Sequence, residues 1–226
     1  IIDATLPHCV SYKINTAFYE AMGLKGWEIM QETLAYIPKT HFTIADAKRG
    51  DIGNTSTQYA RAFFEAMDFD AITVAPYMGE DSIKPFLAFK DKWVIVLGLT
   101  SNVGAQDFQF LKSNKKPLFQ SVIEKCMQYG TPENTMFVIG ATKEKYFESI
   151  REFCPDNFFL VPGVGAQGGD LQQLSKYGMN KDCGLLVNAT RSVIYASNGK
   201  DFAEKAREEA LRMQQEMKQY LKAYRQ

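Results

Sequence analysis

Along this chain, apolar and β-branched runs of strand length alternate with stretches whose apolar positions recur at three and four residues. That regular exchange of periods predicts successive parallel βα units. Seven runs read as strands: approximately Cys9 to Asn15, Phe42 to Ala47, Ala71 to Ala75, Val94 to Thr100, Met136 to Ala141, Phe158 to Val164 and Gly184 to Ala189. Most are apolar almost throughout, as strands covered on both faces must be. Between them lie helical stripes, one of Trp27, Met30, Leu34 and Ile37 and another of Tyr59, Phe63, Ala66 and Met67. The clearest stripe is the last, Phe202, Ala206, Ala210, Met213, Met217, Tyr220 and Tyr224, and it predicts a helix packed on a sheet rather than a partner surface.

The expected fold class is therefore α/β, a (β/α)8 barrel of the TIM type, in one domain over residues 1–226. Seven strands fall one short of the usual closed barrel. Ile1-Ile2-Asp3-Ala4-Thr5 lacks the layout of a signal peptide and reads like the end of a helix already under way. The first barrel strand is accordingly expected upstream of Ile1.

At 226 residues, with 46% hydrophobic and 23% charged residues, the chain can bury a full core, and disordered or collagen-like classes drop out. Lys plus Arg equals Asp plus Glu at 26 each, so no global field draws nucleic acid or anionic lipid, and an anionic ligand needs a local site. The longest apolar runs, such as Trp93 to Leu99, fall far short of the roughly 20 residues that span a bilayer, so no membrane partner is expected. Cys9, Cys126, Cys154 and Cys183 form no C-x-x-C pair and read as reduced thiols of a cytoplasmic protein. His8 and His41 each precede a strand, at the barrel end opposite the usual active site, which argues against histidine or metal chemistry.

The strongest chemical signal is Ala45-Asp46-Ala47-Lys48-Arg49-Gly50-Asp51-Ile52-Gly53-Asn54-Thr55, at the C-terminal end of a strand, where barrel enzymes keep their active sites. Strand alternation predicts Asp46 and Lys48 on one face, with Asp51 following in the loop. Three ionisable groups at a barrel mouth would hold an ammonium between carboxylates, leaving Lys48 charged and poised to donate a proton.

The second signal is the glycine-rich run from Val161 to Asp170. Gly163, Gly165 and Gly168 match G-x-G-x-x-G, but the next strand ends in Asn188-Ala189-Thr190-Arg191 without the acidic residue a dinucleotide ribose requires. Phosphate groups in these barrels bind at the loops after the last two strands, so the glycine amides with Arg191 read as a monophosphate cradle. Lys13 stands at one further strand end, and Thr100 with Ser101 at another.

Together these residues resemble the orotidine 5′-monophosphate decarboxylase family. Its D-x-K-x-x-D-I-x-x-T pattern stands here as Asp46, Lys48, Asp51, Ile52 and Thr55; the Pro162 to Asp170 loop and Arg191 to Tyr195 match its phosphate-closing elements. The run from Thr100 to Gln109 resembles the bacterial branch with longer loops. The resemblance implies a metal-free and cofactor-free homodimer that converts orotidine 5′-monophosphate to UMP, with Lys48 protonating C6 as carbon dioxide leaves. It implies Asp46 beside the substrate carboxylate, Lys13 in the charge network, and Asp51, Ile52 and Thr55 reaching into the neighbouring subunit's site. Ser101 would meet the pyrimidine edge and Pro162 the ring. Gln167 and Arg191 would hold the phosphate, in a loop that includes Gly168, Gly169 and Thr190. A ribose-contacting aspartate at the end of a first strand has no counterpart, since Asp3 lies in helix context. Two rival readings are a sugar-phosphate lyase or aldolase of a related barrel, usually with magnesium, and a non-catalytic nucleotide-binding fragment.

Overall fold

The computed structural model describes residues 1–164 and 169–225. Each of the expected apolar runs carries a strand: β1 (Ser11–Asn15), β2 (Phe42–Arg49), β3 (Ala71–Val74), β4 (Trp93–Leu99), β5 (Thr135–Ile139), β6 (Phe159–Pro162) and β7 (Leu185–Asn188). They follow one another in the sheet in chain order, and β1–β2–β3–β4 and β5–β6–β7 pair in parallel. Parallel neighbours need a crossover between them, which is why a helix separates most successive strands. The first run starts two residues later than expected: Val10 is 71% exposed, so nothing covers it as a strand residue would be covered. The second runs two residues longer, because a turned backbone at Lys48 lets Arg49 rejoin β3 opposite Val74.

The chain divides into two compact units. One, Val10–Leu97 with Lys125–Met136, holds β1 to β3, most of β4, and the helices α1 (Leu24–Tyr36), α2 (Gly53–Arg61) and α3 (Glu80–Leu87). Ile44, Ala45, Ile72, Val74 and Val94 to Val96 are fully buried, as apolar strand residues covered on both faces should be. In α1, Met30 and Leu34 face this core as the stripe predicts, and buried Gly26 permits a close approach, since a Cβ there would meet the Tyr19 carbonyl. The second stripe is corrected at Tyr59 and Ala66, both exposed. A π-helical turn, Ala62–Ala66, follows α2 and widens the helix by a residue, so Phe63 and Phe64 both turn inward.

The other unit, Ile1–Cys9, Gly98–Glu124 and Phe137–Gln226, holds the end of β4, most of β5, β6, β7, and α4 (Leu118–Cys126, in part), α5 (Phe147–Phe153), α6 (Leu171–Gly178) and α7 (Phe202–Tyr224). Phe137, Phe147, Phe159 and Leu174 fill its core. In α7, Ala206 and Ala210 are buried and Met213, Met217, Tyr220 and Tyr224 half-buried, the expected face; Phe202, at its start, is exposed. Arg151 of α5 is mostly buried and forms no ion pair among the described residues: its guanidinium lies 3.7 Å from the centroid of the Phe159 ring and donates to the carbonyls of Cys154, Pro155, Asn157, Gly178 and Gly184. Burial, partly offset by Cys154, Asp156 and Cys183 nearby, brings its pKa down to about 10, still a cation at neutral pH.

All four thiols are free. Burial pushes Cys126 and Cys154 up to about 12, which keeps them protonated and unreactive. Among the described residues no helix is long and apolar enough to cross a membrane.

Candidate functional site

Asp46 lies near the C-terminal end of β2 and opposite Asn15 of β1, so Lys13, two residues earlier in β1, can reach it across the ladder. Lys13 Nζ donates to Asp46 Oδ2 at 2.7 Å, and the two side chains are only 10% and 11% exposed. Lys48 Nζ donates to Asp46 Oδ1 at 2.6 Å from a side chain that is 51% exposed. The expected meeting of Asp46 and Lys48 occurs, but plain alternation does not produce it. Lys48 has φ +48°, left-handed and uncommon for a residue with a Cβ, and the β2–β3 register shifts between Ala45 and Arg49. The bulge turns the lysine back onto its own strand.

A residue absent from the sequence reading completes the cluster. Thr73 of β3 is buried, accepts from the Lys48 backbone N–H at 2.9 Å, and donates its own hydroxyl proton to Asp46 Oδ1 at 3.1 Å. The available signal was a lone hydroxyl between Ile72 and Val74. Burial pushes the Asp46 carboxyl up, but the charge and hydrogen bond of Lys13, then those of Lys48, outweigh it and hold the group below its ordinary value. Asp46 is therefore ionised at neutral pH.

The expected ammonium between carboxylates is, within one chain, the reverse: a carboxylate between ammoniums. Asp51 instead bonds its own loop, its Oδ1 accepting from the Ile52 N–H at 2.8 Å and its carbonyl accepting from Ser56 Oγ at 2.6 Å. Gly53, at φ +52°, then opens α2, whose first turn presents Thr55 to solvent beside exposed Ile52.

The second unit carries the other candidates at its own strand ends. Ser101 follows β4 and is half-buried. Gln109 holds the neighbouring Thr100 at two points, accepting from its N–H at 2.8 Å and donating to Oγ1 at 2.7 Å. Gly140, after β5, packs so closely that a Cβ would lie 2.6 Å from the Ser101 nitrogen. Pro162 ends β6 opposite Asn188 of β7, and Gly163 leaves the strand at φ +99°. Gln167 and Gly168 lie outside the described residues. Gly169 bridges back to Val164, where a Cβ would meet Ala141 at 2.5 Å, and Asp170 then caps α6 by accepting from Gln172 N–H at 2.9 Å and Gln173 N–H at 3.2 Å. Thr190 and Arg191, both exposed, open a one-turn helix after β7, with the Thr190 carbonyl accepting from Val193 and Ile194. Lys13, Asp46, Lys48 and Thr73 are thus brought into one cluster, while the ring and phosphate candidates stand apart in sequence at the ends of β4, β6 and β7.

These strand-end residues invite comparison with known proteins, and residues 1–206 match the model of the "Orotidine 5'-phosphate decarboxylase / HUMPS family". The chain belongs to this family. It is 60% identical over 220 residues to the orotidine 5'-phosphate decarboxylase of Flavobacterium johnsoniae, covering 96% of this chain and 81% of that one. Among solved structures it resembles Leishmania donovani UMP synthase, with a TM-score of 0.86 and 36% identity over 94% of this chain and 48% of that one. Leishmania donovani OMP decarboxylase gives a TM-score of 0.86 and 32% identity over 97% and 84%. The fold class is the (β/α)8 barrel that the strand pattern predicts, and family membership makes the chain an enzyme, a carboxy-lyase.

Proposed function

We propose that this chain decarboxylates orotidine 5′-monophosphate to UMP, with Lys48 as the acid. The observation that carries the reading is the clamp of Lys48 and Lys13 on one ionised carboxylate, Asp46, at the end of β2. In the reaction the bond from C6 to the substrate carboxylate breaks, carbon dioxide leaves, the electron pair stays on C6, and a proton moves from Lys48 Nζ to that carbon. Within one chain two ammoniums face one carboxylate, and in this reading Asp51 of a second copy balances the second ammonium. The ammonium of Lys48 stabilises the carbanion that forms beside it.

The shares of work follow from magnitudes. A substrate carboxylate about 4 Å from Asp46 is repelled by roughly 4 kcal/mol at an effective dielectric near 20. Enzymes lower barriers by roughly 8 to 23 kcal/mol. Repulsion of the ground state is therefore the smaller share, and the ammonium of Lys48 in a closed, dry site supplies the larger. Grip on the remote phosphate supplies the energy for closing that site.

In this reading Arg191 and Gln167 hold the phosphate with the amides of Gly168, Gly169 and the Thr190 segment, Ser101 meets the pyrimidine edge, and Pro162 packs near the ring. Asp51, Ile52 and Thr55 serve the site of a second copy in a cytoplasmic homodimer; support comes from the Asp51 carboxylate bonding its own loop while Lys48 pairs with Asp46, and from the exposure of Ile52. No step calls on a metal or an organic cofactor. The test is loss of orotidine monophosphate absorbance with the purified chain, with and without EDTA. Turnover indifferent to EDTA is expected. Chelator-sensitive cleavage of a sugar phosphate would favour the aldolase reading, and UMP binding without release of carbon dioxide would favour a non-catalytic one.

A further inference from the structure

The bulge at the end of β2 raises a question that ion pairs alone do not answer. A residue with a Cβ at φ +48° sits in a sparsely populated region and persists there only where the surroundings over-determine it. The Lys48 side chain is half-exposed, and an exposed ion pair contributes little, so its bond to Asp46 is a weak restraint on the backbone. The stronger restraint is buried. Thr73, 1% exposed, is joined at once to the backbone of Lys48 and to the carboxylate of Asp46.

The two hydrogen bonds leave the hydroxyl one orientation. Its proton points to Asp46 Oδ1 and a lone pair receives the Lys48 N–H, so the geometry of the carboxylate and the turn of the lysine are set by the same atom. Oδ1 is also the oxygen that accepts from Lys48 Nζ, which closes a ring: Lys48 backbone, Thr73 hydroxyl, Asp46 carboxylate, Lys48 ammonium. Neighbouring positions in β3, Ile72 and Val74, are fully buried and apolar. A threonine there leaves its hydroxyl no water to turn to, so the ring is its alternative to an unsatisfied buried group.

We infer that Thr73 is a positioning residue for the reaction, holding Lys48 in its left-handed turn and fixing which oxygen of Asp46 faces the ammonium. It touches no substrate atom and acts through Lys48. The inference rests on the proposed role of Lys48 as the acid. A small error in the position of a reacting group lowers the rate of the chemical step while leaving distant binding contacts intact, so the effect belongs in kcat rather than KM.

Two pairs of variants isolate the hydroxyl. Thr73→Val keeps the shape of threonine and removes the hydroxyl; Thr73→Ser and Thr73→Ala both lose the methyl, and only serine keeps the hydroxyl. The expected result is a kcat at least tenfold lower for Val and Ala than for wild type, with serine within about threefold of wild type, a factor of ten being about 1.4 kcal/mol. KM for orotidine monophosphate and the affinity for UMP should move less than threefold in all. If Thr73→Val does not fold, the Ser and Ala pair decides. The inference is overturned if the hydroxyl-free variants keep kcat within twofold of their hydroxyl-bearing partners, or if KM rises while kcat holds. Lys48→Ala, measured alongside, separates the two claims: should it retain turnover, the reading of Lys48 as acid has failed, whereas a dead Lys48→Ala beside an unaffected Thr73→Val removes Thr73 alone.

Discussion

Lys13 and Lys48 approach opposite oxygens of Asp46, at 2.7 and 2.6 Å, so the carboxylate is saturated from both sides before any substrate arrives. Because its folded pKa lies below the unfolded value near 3.9, this group adds stability that is fully present above about pH 4. That contribution is lost as pH falls through the depressed folded value. Asp46→Asn strands a nearly buried Lys13 ammonium and should lower the melting temperature at pH 7. Calorimetry at pH 7, 5 and 3 should show a gap from wild type that is constant between the first two and narrower at the third. A gap unchanged at pH 3 would mean that Asp46 is not held ionised by its lysines.

Gly140 offers a test on the pyrimidine side. A methyl group added there would lie 2.6 Å from the Ser101 backbone nitrogen, which no real contact tolerates, so the loop after β4 must shift. Gly140→Ala is expected to cost about 1–3 kcal/mol of stability in urea unfolding and to raise KM for orotidine monophosphate. Unchanged KM would mean that Ser101 does not meet the substrate.

Arg151 tests stability without function. Its guanidinium satisfies five carbonyls that a lysine cannot reach together. Arg151→Lys should cost about 2–4 kcal/mol through unsatisfied buried carbonyls, with kcat of the folded enzyme unaltered. A loss of kcat at full stability would tie this arginine to the reaction.

The strands and most helical faces were legible in the sequence because their signals are local: β-branched runs such as Trp93 to Leu99 and the three-and-four stripe of α7. So was the pairing of Asp46 with Lys48, since both sit on one short segment. Its cause was not. A left-handed Lys48 and the bond to Thr73 depend on how β2 registers with β3, a relation between residues 25 apart that no periodicity encodes. Ala66 was misplaced for a similar reason: a helical stripe assumes 3.6 residues per turn, and a π turn breaks that count. The crowded hydroxyl of Thr73 shows the general pattern, a polar atom inside an apolar strand whose partner only the third dimension supplies.

Shared sites have their own test. Lys48→Ala and Asp51→Ala chains, each nearly inactive alone, are mixed after dissociation. If Lys48 of one chain works with Asp51 of its partner, each mixed dimer holds one doubly altered site and one intact site. Random reassortment makes half the dimers mixed, so activity should recover to about a quarter of wild type per total site when sites act independently. Verified heterodimers as inactive as both parents would place Asp51 in the site of its own chain.

Lys48→Ala tests the account at its centre, with Arg191→Ala as its counterpart. Turnover of orotidine monophosphate and the affinity for UMP are measured on the same preparations. Lys48→Ala should abolish nearly all turnover and leave UMP binding measurable, because the ammonium acts in the reaction and the phosphate grip lies elsewhere; Arg191→Ala should weaken UMP binding strongly. A Lys48→Ala enzyme that keeps more than about a tenth of wild-type activity, a loss of under roughly 1.4 kcal/mol of transition-state stabilisation, would contradict the assignment of Lys48 as the acid.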